Sequence, residues 1–535
     1  MNSKDKDDGG ARLRAALLSN GSPMDAASIC ERLQISQPTF SRRLRSAGHD
    51  VIRFGAARST QYAVTRTIGD LGSAFPIYEV QEDGSVQTFG ELRTLHDNWN
   101  VFLPADGTPP RVSRGIPFFL QDLRPQGFMG RLVPLAHKEL LLPEKITDWG
   151  DDDTLRYVAQ RGENVSGNLV VGGESYRRFL TTVQGVEQVT VKADARAIAF
   201  AELAERVNQG EAPGSSAGGE QPKFTAAIMR DNGQTDHVIV KFSAPIATPN
   251  GRRWGDMLIA EHLSMETLRS HGISACASEM VMTGERVYLE VVRFDRIGLS
   301  GRAPVVSMAG LDCELGALDQ NWTSSTMLLR DSQKLSIADW ESVRLLEVYG
   351  ALIGNSDRHP GNLTLHWDHA KKFTLAPVYD MLPMMYQPNR QGEVVERNFD
   401  MKVLDRLDLR CLPEAATMAL DFWERVQKDG RISADFKQVA KKHVDAITMH
   451  ASVAKLVSTL QTQRPVVITE GEFSGLVLSV ANGIVTQKIN RDGKTAAHDF
   501  LKLSVPVAPG EVVAIKYING IGVVAGKDLG NGVDR

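Results

Sequence analysis

The stretch that most constrains this chain runs from Tyr349 to Asp380, YGALIGNSDRHPGNLTLHWDHAKKFTLAPVYD. Asp357 and Asn362 stand five positions apart in it, and a predicted apolar strand, Phe373–Tyr379, leads directly to Asp380. Phosphoryl transfer requires a carboxylate that accepts the proton of the attacking hydroxyl and oxygen ligands that hold Mg²⁺ on the phosphates. The stretch contains residues of both kinds.

The same order, a loop aspartate, an asparagine five residues later and a strand-end aspartate, is found in protein kinases. It predicts that Asp357 is the base and that Asn362 and Asp380 bind Mg²⁺. The alternative is a polar turn between two strands, since Asp, Asn, Gly and Pro are ordinary turn residues.

Length and composition limit the remaining possibilities. A chain of 535 residues predicts several domains, and 42% hydrophobic with 24% charged residues is ordinary for a globular protein. The four cysteines form no CxxC pair, so neither a zinc site nor a disulfide framework is indicated. The charged N-terminus is not of the signal-peptide type and no apolar run is long enough to span a membrane, so we expect a cytoplasmic protein.

The N-terminal pattern predicts a winged helix–turn–helix over residues 11–66, after a disordered segment 1–10. The predicted helices and strands are Ala11–Leu18, Met24–Leu33, a helix from the N-cap Ser36 to Ala47, Val51–Arg53 and Gln61–Val64.

The third helix predicts contact with double-stranded DNA. Phe40 and Leu44 face inward, whereas the residues expected to face the DNA are Gln37, Thr39, Ser41, Arg42, Arg43 and Arg45. Arginines contact phosphates or guanine. The alternative is a solvated basic helix in a protein-interaction domain. Residues 67–74 are predicted to be a linker.

A Gly/Ser-rich loop, Ala212–Gln221, precedes the predicted strand Phe224–Met229. Such a loop exposes backbone N–H groups to phosphate oxygens, although a flexible surface loop has the same composition. Lys241 ends the strand in HVIVKFS, and the predicted helix Asp256–Ser270 offers Glu261 or Glu266 as its partner. We prefer Glu261, which lies nearer the predicted helix start; a strand-end lysine with its head in solvent is the alternative for Lys241.

A predicted hairpin, Glu279–Thr283 and Arg286–Val292, ends in VVRFDR, where a two-lobed kinase has its adenine-binding hinge. A predicted helix, Trp340–Leu352, then leads to the DRHPGN loop. The chain thus has, in sequence order, a Gly/Ser loop, a strand lysine, a helix glutamate, a hinge, the DRHPGN loop and a strand-end aspartate. This ordered set indicates a kinase more specifically than any one of these features does.

GSSAGGEQPK, VIVKFS, VVRFDR, GNSDRHPGN and LAPVYD together resemble the HipA-type serine/threonine kinases, the toxins of bacterial toxin–antitoxin systems. The resemblance covers residues 75 to 450. It implies a two-lobed kinase-like fold, with an N-lobe over 75–330 and a helical C-lobe over 331–458. It also implies transfer of phosphate from ATP to a protein serine; the best-known member acts on an aminoacyl-tRNA synthetase, so a synthetase or another translation component is the expected substrate.

The resemblance also assigns roles by position. Asp357 becomes the proton acceptor, Asn362 and Asp380 the Mg²⁺ ligands, and Ser216 the autophosphorylated residue, with Ser215 as a substitute. The residues expected to bind ATP are Gly218, Gly219, Glu220, Gln221, Pro222, Lys223, Lys241, Val292, Arg293, Phe294 and His359. Phosphate on Ser216 would repel the ATP phosphates and switch the kinase off.

Two features depart from the family. Val292 stands where the family often has Glu, which affects the expected nucleotide affinity. The DNA-binding protein, usually a separate antitoxin, is here fused to the N-terminus, as in the single-chain variety of the family. We also expect that two copies of the chain can form a homodimer.

Residues 466–530 change to a strand pattern after a predicted helical region, Pro413–Val457, and a linker, Thr459–Pro465. Asn482–Gly483 between two alternating runs predicts a hairpin. We expect a small β-barrel-like domain, and GEFSGLVLSVANGIVTQKI resembles the KfrB-type β domain of plasmid-borne proteins.

The sequence therefore predicts a multidomain α+β protein: a winged helix, a two-lobed kinase-like domain and a small β domain. The first hypothesis is an ATP- and Mg²⁺-dependent protein kinase. The second is a transcriptional regulator whose inactive kinase domain senses nucleotide. A kinase of sugars or other small molecules is the third.

Overall fold

A computed structural model describes residues 4–183, 190–210, 221–316, 321–368, 372–389, 391–405, 407, 409–450, 467–481, 484–489, 494–504, 507, 509–518 and 520–529. The chain divides into two compact units, each considered separately below. The first comprises Met1–His262, Ser274–Leu318 and His359–Tyr379, and the second comprises Leu263–Ile273, Asp319–Arg358 and Asp380–Arg535.

The first unit begins with a head of three helices and three short strands. Its elements are α1 Lys4–Asn20, β1 Met24–Asp25, α2 Ala26–Leu33, α3 Gln37–Ala47, β2 Val51–Phe54 and β3 Gln61–Val64, with strand order β1-β3-β2. Leu13, Ile29 and Phe40 form its core. The second helix starts two residues later than expected, because Asp25 caps it by accepting a hydrogen bond from the Ser28 N–H.

The prediction that residues 1–10 are disordered is wrong from Lys4 onward, where α1 begins. Gly10 lies within α1 and is buried against α3. A Cβ atom at this position would lie 2.8 Å from the Ser46 carbonyl oxygen. The glycine therefore permits close packing of two helices rather than ending one.

The head packs on a five-stranded antiparallel sheet. The elements of this middle domain are β4 Ala74–Val80, β5 Val86–Thr94, β6 Trp99–Pro104, β7 Arg111–Arg114, α4 Phe118–Gln121, α5 Gly127–Ala136, α6 Asp151–Arg161, β8 Leu169–Val171 and α7 Gly173–Val183, with strand order β7-β6-β5-β4-β8. Phe54 and Ala63 of the head share one buried cluster with Leu95 and Val101. Residues 67–74, predicted to be a linker, are therefore a short connection across a packed interface, with Ile68 buried.

A second five-stranded sheet follows. Its elements are β9 Thr190–Lys192, α8 Arg196–Asn208, β10 Lys223–Met229, β11 Thr235–Phe242, α9 Pro249–Ser270, β12 Ser278–Met282 and β13 Val287–Val292, with strand order β12-β13-β11-β10-β9. Phe200 on α8 packs on Phe224 and Val240 of the sheet. The unit is completed by β14 Arg296–Ile297, β15 Gly301–Arg302, β16 Val305–Ser307, α10 Met308–Leu315, β17 Thr364–Trp367 and β18 Phe373–Leu375.

In the described part of the chain, the second unit contains the C-terminal end of α9, four further α-helices and a β domain. The helices are α11 Trp322–Asp331, α12 Ile337–Leu352, α13 Leu412–Lys428 and α14 Ala434–Met449. The predicted helical region Pro413–Val457 is thus broken near Asp429, and its residues from 451 lie outside the described part of the chain. Trp423 and Phe436 are fully buried between the helices.

The strands of the β domain are β19 Val467–Ile468, β20 Glu472–Ala481, β21 Ile484–Lys488, β22 Thr495–Asp499, β23 Glu511–Ile518 and β24 Ile521–Leu529. β20 and β21 pair as the predicted hairpin, although Asn482–Gly483 themselves lie outside the described residues. The strand order among the described residues, β19-β22-β21-β20-β23-β24, is that of an open sheet, and closure into the expected barrel is not seen there. None of the helices in the described ranges is both long and apolar enough to cross a membrane.

Candidate active site

The lysine of the HVIVKFS strand forms the expected ion pair. Lys241, near the end of β11, places its Nζ 2.5 Å from Glu261 Oε1 on α9. The two residues are 6% and 0% exposed, so the pair is removed from solvent. Since α9 begins at Pro249, Glu261 lies in the middle of the helix rather than near its start. Packing of α9 on the sheet, not its N-terminus, brings the carboxylate to the lysine.

A second buried cation lies beside the first. Lys223 is paired directly with Lys241 across the antiparallel strands β10 and β11 and is 3% exposed. Like charges directly opposite one another in a sheet repel, and a shared anion between two ammonium groups would reduce this repulsion. The nearby Gln221 Nε2 is buried with no hydrogen-bond partner within the described residues. The arrangement is suited to an anionic ligand.

The structure describes only the end of the predicted phosphate loop. Ser215, Ser216, Gly218, Gly219 and Glu220 lie outside the described residues. The loop's last residues are described: Pro222 accepts a 3.1 Å hydrogen bond from the Phe242 N–H, and Lys223 begins β10. The end of the loop is thus anchored to β11, the strand that carries Lys241.

Two backbone amides of the expected adenine hinge are already hydrogen-bonded within the protein. The Val292 N–H donates to the Ala277 carbonyl at 2.9 Å, and the Arg293 N–H donates to the His237 carbonyl at 2.8 Å. The pairing of β13 with β11 and β12 places both amides inside the sheet. A nucleotide base would have to be held by other groups.

Arg293 is likewise part of a buried charge network rather than of an open site. Its guanidinium lies 2.9 Å from the Asp295 carboxylate, which Arg296 also contacts at 2.8 Å. Burial alone would raise the pKa of Asp295, but the two guanidinium groups hold this pKa far below its usual range. Phe294 is half-buried and packs on Tyr379 and His366, with ring centroids 5.7 and 5.8 Å away.

The second part of the DRHPGN loop is a tight turn in the first unit. Pro360–Asn362 form one turn of 3₁₀-helix, and His359 caps it by accepting the Gly361 N–H on Nδ1 at 3.0 Å. The Tyr379 hydroxyl donates to the Gly361 carbonyl at 3.0 Å. His359, which we expected to bind ATP, therefore stabilises the turn that carries Asn362.

The first part of the loop, in the second unit, contains a residue that the sequence analysis missed. The Asn355 side chain accepts the Asp357 N–H at 2.9 Å and approaches the Asp380 carbonyl oxygen at 3.4 Å. Asp357 and Asp380, 23 positions apart, thus contact one buried amide. A signal existed in the sequence, since Gly354 marks the end of α12 directly before Asn355.

Asp380 has a left-handed backbone conformation, with φ of 52°, which is uncommon for non-glycine residues. Non-glycine residues in this region carry a steric cost and cluster at functional sites. The predicted strand Phe373–Tyr379 is shorter than expected: β18 ends at Leu375, and only Val378 adds a further bridge, to Ala275. Pro377 lies in this break, where its missing N–H could not continue a ladder.

The predicted DNA-facing residues of α3 are largely accessible. Gln37, Ser41, Arg42 and Arg45 are exposed, whereas Thr39 is half-buried. Arg43 is also half-buried, because its side chain lies along α1, with Cγ 3.2 Å from the Cβ position of Gly9. Arg43 is therefore less available to DNA than its position on the helix suggested.

Comparison with known proteins identifies the class. Residues 215–456 match the HipA-like C-terminal domain, and residues 71–180 match the middle domain of YjjJ-like toxins. The chain belongs to the HipA family of toxins. Toxin YjjJ of Escherichia coli (strain K12) is 35% identical to it over 432 residues, which are 79% of this chain and 95% of that protein.

Two solved structures show weaker similarity. The HipA–HipB–operator DNA complex of Shewanella oneidensis MR-1 has a TM-score of 0.45 at 14% identity, covering 71% of this chain and 99% of that one. The Helicobacter pylori proinflammatory kinase CtkA has a TM-score of 0.31 at 13% identity, covering 46% and 94%. These scores are too low to relate individual residues.

Proposed function

We propose that this protein is an ATP-dependent protein serine/threonine kinase of the HipA toxin type. The observation that carries the proposal is the buried pair Lys241–Glu261 with Lys223 directly opposite Lys241. Two buried ammonium groups, together with the Gln221 Nε2 that has no hydrogen-bond partner in the described part of the chain, suit the triphosphate of ATP, whose oxygens are anionic acceptors. Glu261 holds Lys241 in position before the nucleotide arrives.

In this proposal Asp357 orients the substrate serine and accepts its hydroxyl proton. The serine oxygen then forms a bond to the γ-phosphorus while the bond to the β,γ-bridging oxygen breaks, and ADP leaves. The reaction yields a phosphoserine and ADP. Lys241 and Lys223 stabilise the charge on the transferred and departing phosphates.

The carboxylate of Asp380 and the amide oxygen of Asn362 would hold Mg²⁺. Oxygen donors of this kind are those that Mg²⁺ prefers, and it commonly completes its shell with phosphates and water. Within the described residues there is no cluster of three His, Cys, Asp or Glu side chains suited to a metal. When bound, the ion neutralises phosphate charge.

The finer parts of the proposal rest on the family resemblance. The substrate is a protein serine, on an aminoacyl-tRNA synthetase or another translation component. Ser216 in the Gly/Ser loop is autophosphorylated, which removes the loop from the ATP phosphates. The head binds double-stranded DNA through the exposed residues of α3 and thereby regulates its own gene.

The test is incubation of the full chain with radiolabelled ATP and Mg²⁺, followed by mass mapping of the label. We expect phosphate on Ser216 in the wild type and none in Asp357→Asn, with both proteins equally folded by circular dichroism. Labelling of the variant at the wild-type rate would eliminate Asp357 as the base.

A second function is favoured by one observation. The Val292 and Arg293 amides are already used within the sheet, which reduces the donors for adenine. ATP held mainly through its phosphates, with few donors to fix the adenine, is less well aligned for transfer, and a regulator whose kinase domain senses nucleotide without transferring phosphate accommodates this. It predicts ATP binding without label transfer and a DNA affinity that changes with ATP; a DNA affinity independent of ATP would exclude it.

A further inference from the structure

The buried amide of Asn355 occupies a position that the mechanism above does not use. It is 2% exposed and lies at the end of α12, just before the proposed base. The end of the helix fixes it. The Asn355 N–H donates to the Gly350 carbonyl at 2.8 Å and the Gly354 N–H to the Ala351 carbonyl at 3.1 Å, a pattern that needs the left-handed Gly354 (φ 77°).

The orientation of the side-chain amide follows from its neighbours. A backbone N–H can only donate, so the atom facing the Asp357 N–H at 2.9 Å is Oδ1. Nδ2 then points to the Asp380 carbonyl at 3.4 Å and to Met381 Sδ at 3.5 Å. One planar group therefore spaces the backbone of the proposed base from the backbone of the proposed Mg²⁺ ligand.

We infer that Asn355 is a positioning residue that sets the separation of Asp357 and Asp380, so that its loss impairs transfer and Mg²⁺ use together. The inference rests on the proposed kinase function. Asn355 contacts backbone groups of the two aspartates and contacts no phosphate in this role. The left-handed backbone conformation of Asp380 is stable only if its surroundings hold it, and the contact of Asn355 Nδ2 with the Asp380 carbonyl is one such restraint.

The experiment compares wild type, Asn355→Ala, Asn355→Asp and the control Ser356→Ala, an exposed neighbour in the same loop. We expect Asn355→Ala to lower kcat about 10- to 100-fold and to raise the half-saturating Mg²⁺ concentration about 10-fold, as for other residues that orient metal ligands. The KM for ATP at saturating Mg²⁺ should change less than about 3-fold, because no ATP-binding group is removed. Asn355→Asp keeps the acceptor for Asp357 but turns a carboxylate toward the Asp380 carbonyl, so it should show the Mg²⁺ defect as well.

Amide hydrogen exchange supplies a readout that is independent of catalysis. The Asp357 amide should exchange at least about 10-fold faster in Asn355→Ala than in Ser356→Ala, because its acceptor is gone. Unchanged exchange, or wild-type kcat with wild-type Mg²⁺ dependence, overturns the inference. If the wild type transfers no phosphate, the proposed kinase function is refuted, and with it the role of Asn355 in transfer. The exchange rate of the Asp357 amide would still show whether the contact with Asn355 exists.

Discussion

The ion pair between Lys241 and Glu261 gives the sharpest prediction about stability. Glu261→Gln leaves the Lys241 ammonium buried, with the Lys223 ammonium directly across the strand pair. Removing one partner of a buried ion pair costs about 3–5 kcal/mol, because the remaining buried charge loses its counter-charge. We expect a loss of this size in the free energy of opening of β11. The matched control is Glu266→Gln on the same helix, a half-buried residue that should cost less than about 1 kcal/mol.

The double variant Lys241→Met/Glu261→Gln separates charge from packing. Methionine fills the space of the lysine stem without its charge, so the double variant should be more stable than Glu261→Gln alone by about 2 kcal/mol or more. Hydrogen exchange of the β11 peptide in the full chain, without ATP, measures the opening free energy region by region. The free-energy costs of Lys241→Met and Glu261→Gln could instead add up to the cost of the double variant, or Glu261→Gln could cost nothing. Either result would show that the two residues are not a buried charge pair in solution.

Two further predictions concern acid and salt. Burial lowers the pKa of His443 to about 3, and its hydrogen bond to the Leu352 carbonyl offsets part of this shift. The unfolded chain binds a proton on this histidine below about pH 6.5, whereas the folded chain does not. The contribution of His443 to the free energy of unfolding is therefore complete above that pH and is lost as the pH falls below it. The opening free energy of α14 should therefore drop by about 2 kcal/mol more between pH 7 and pH 5 in wild type than in His443→Gln, and equal pH slopes would contradict the assignment. For the head, Arg42→Ala with Arg45→Ala should weaken DNA binding and reduce the slope of log affinity against log salt by about 2, measured by fluorescence anisotropy, whereas Lys428→Ala should leave the slope unchanged.

The elements that depend on local pattern were predictable from the sequence. The strand with Lys241, the helix with Glu261 and the helix before the DRHPGN loop follow from apolar periodicity, and their order along the chain carried the family resemblance. The predicted pairing of Lys241 with Glu261 rather than Glu266 is confirmed. The reason given for it was wrong, because α9 begins at Pro249 and Glu261 does not lie near the helix start.

The features that were missed depend on tertiary contact. Whether the Val292 and Arg293 amides are free depends on the register of β13 between β11 and β12, which the hairpin pattern does not specify. Gly10 looks flexible until α3 is placed beside it. Asn355 resembles any polar residue after a helix, because its contact with Asp380 spans 25 positions of sequence. A single sequence carries no direct record of such pairs.

The shared cluster of Phe54, Ala63, Leu95 and Val101 has a consequence for proteolysis. A protease that cut the chain between residues 67 and 74 would break one covalent connection but leave this cluster intact. It would also leave the Trp99 indole bonded at 2.8 Å to the Gly21 carbonyl and the Arg66–Asp152 ion pair formed. The nicked head would thus remain attached to the rest of the first unit. Cleavage alone would not release it, because these contacts with the sheet would also have to be broken.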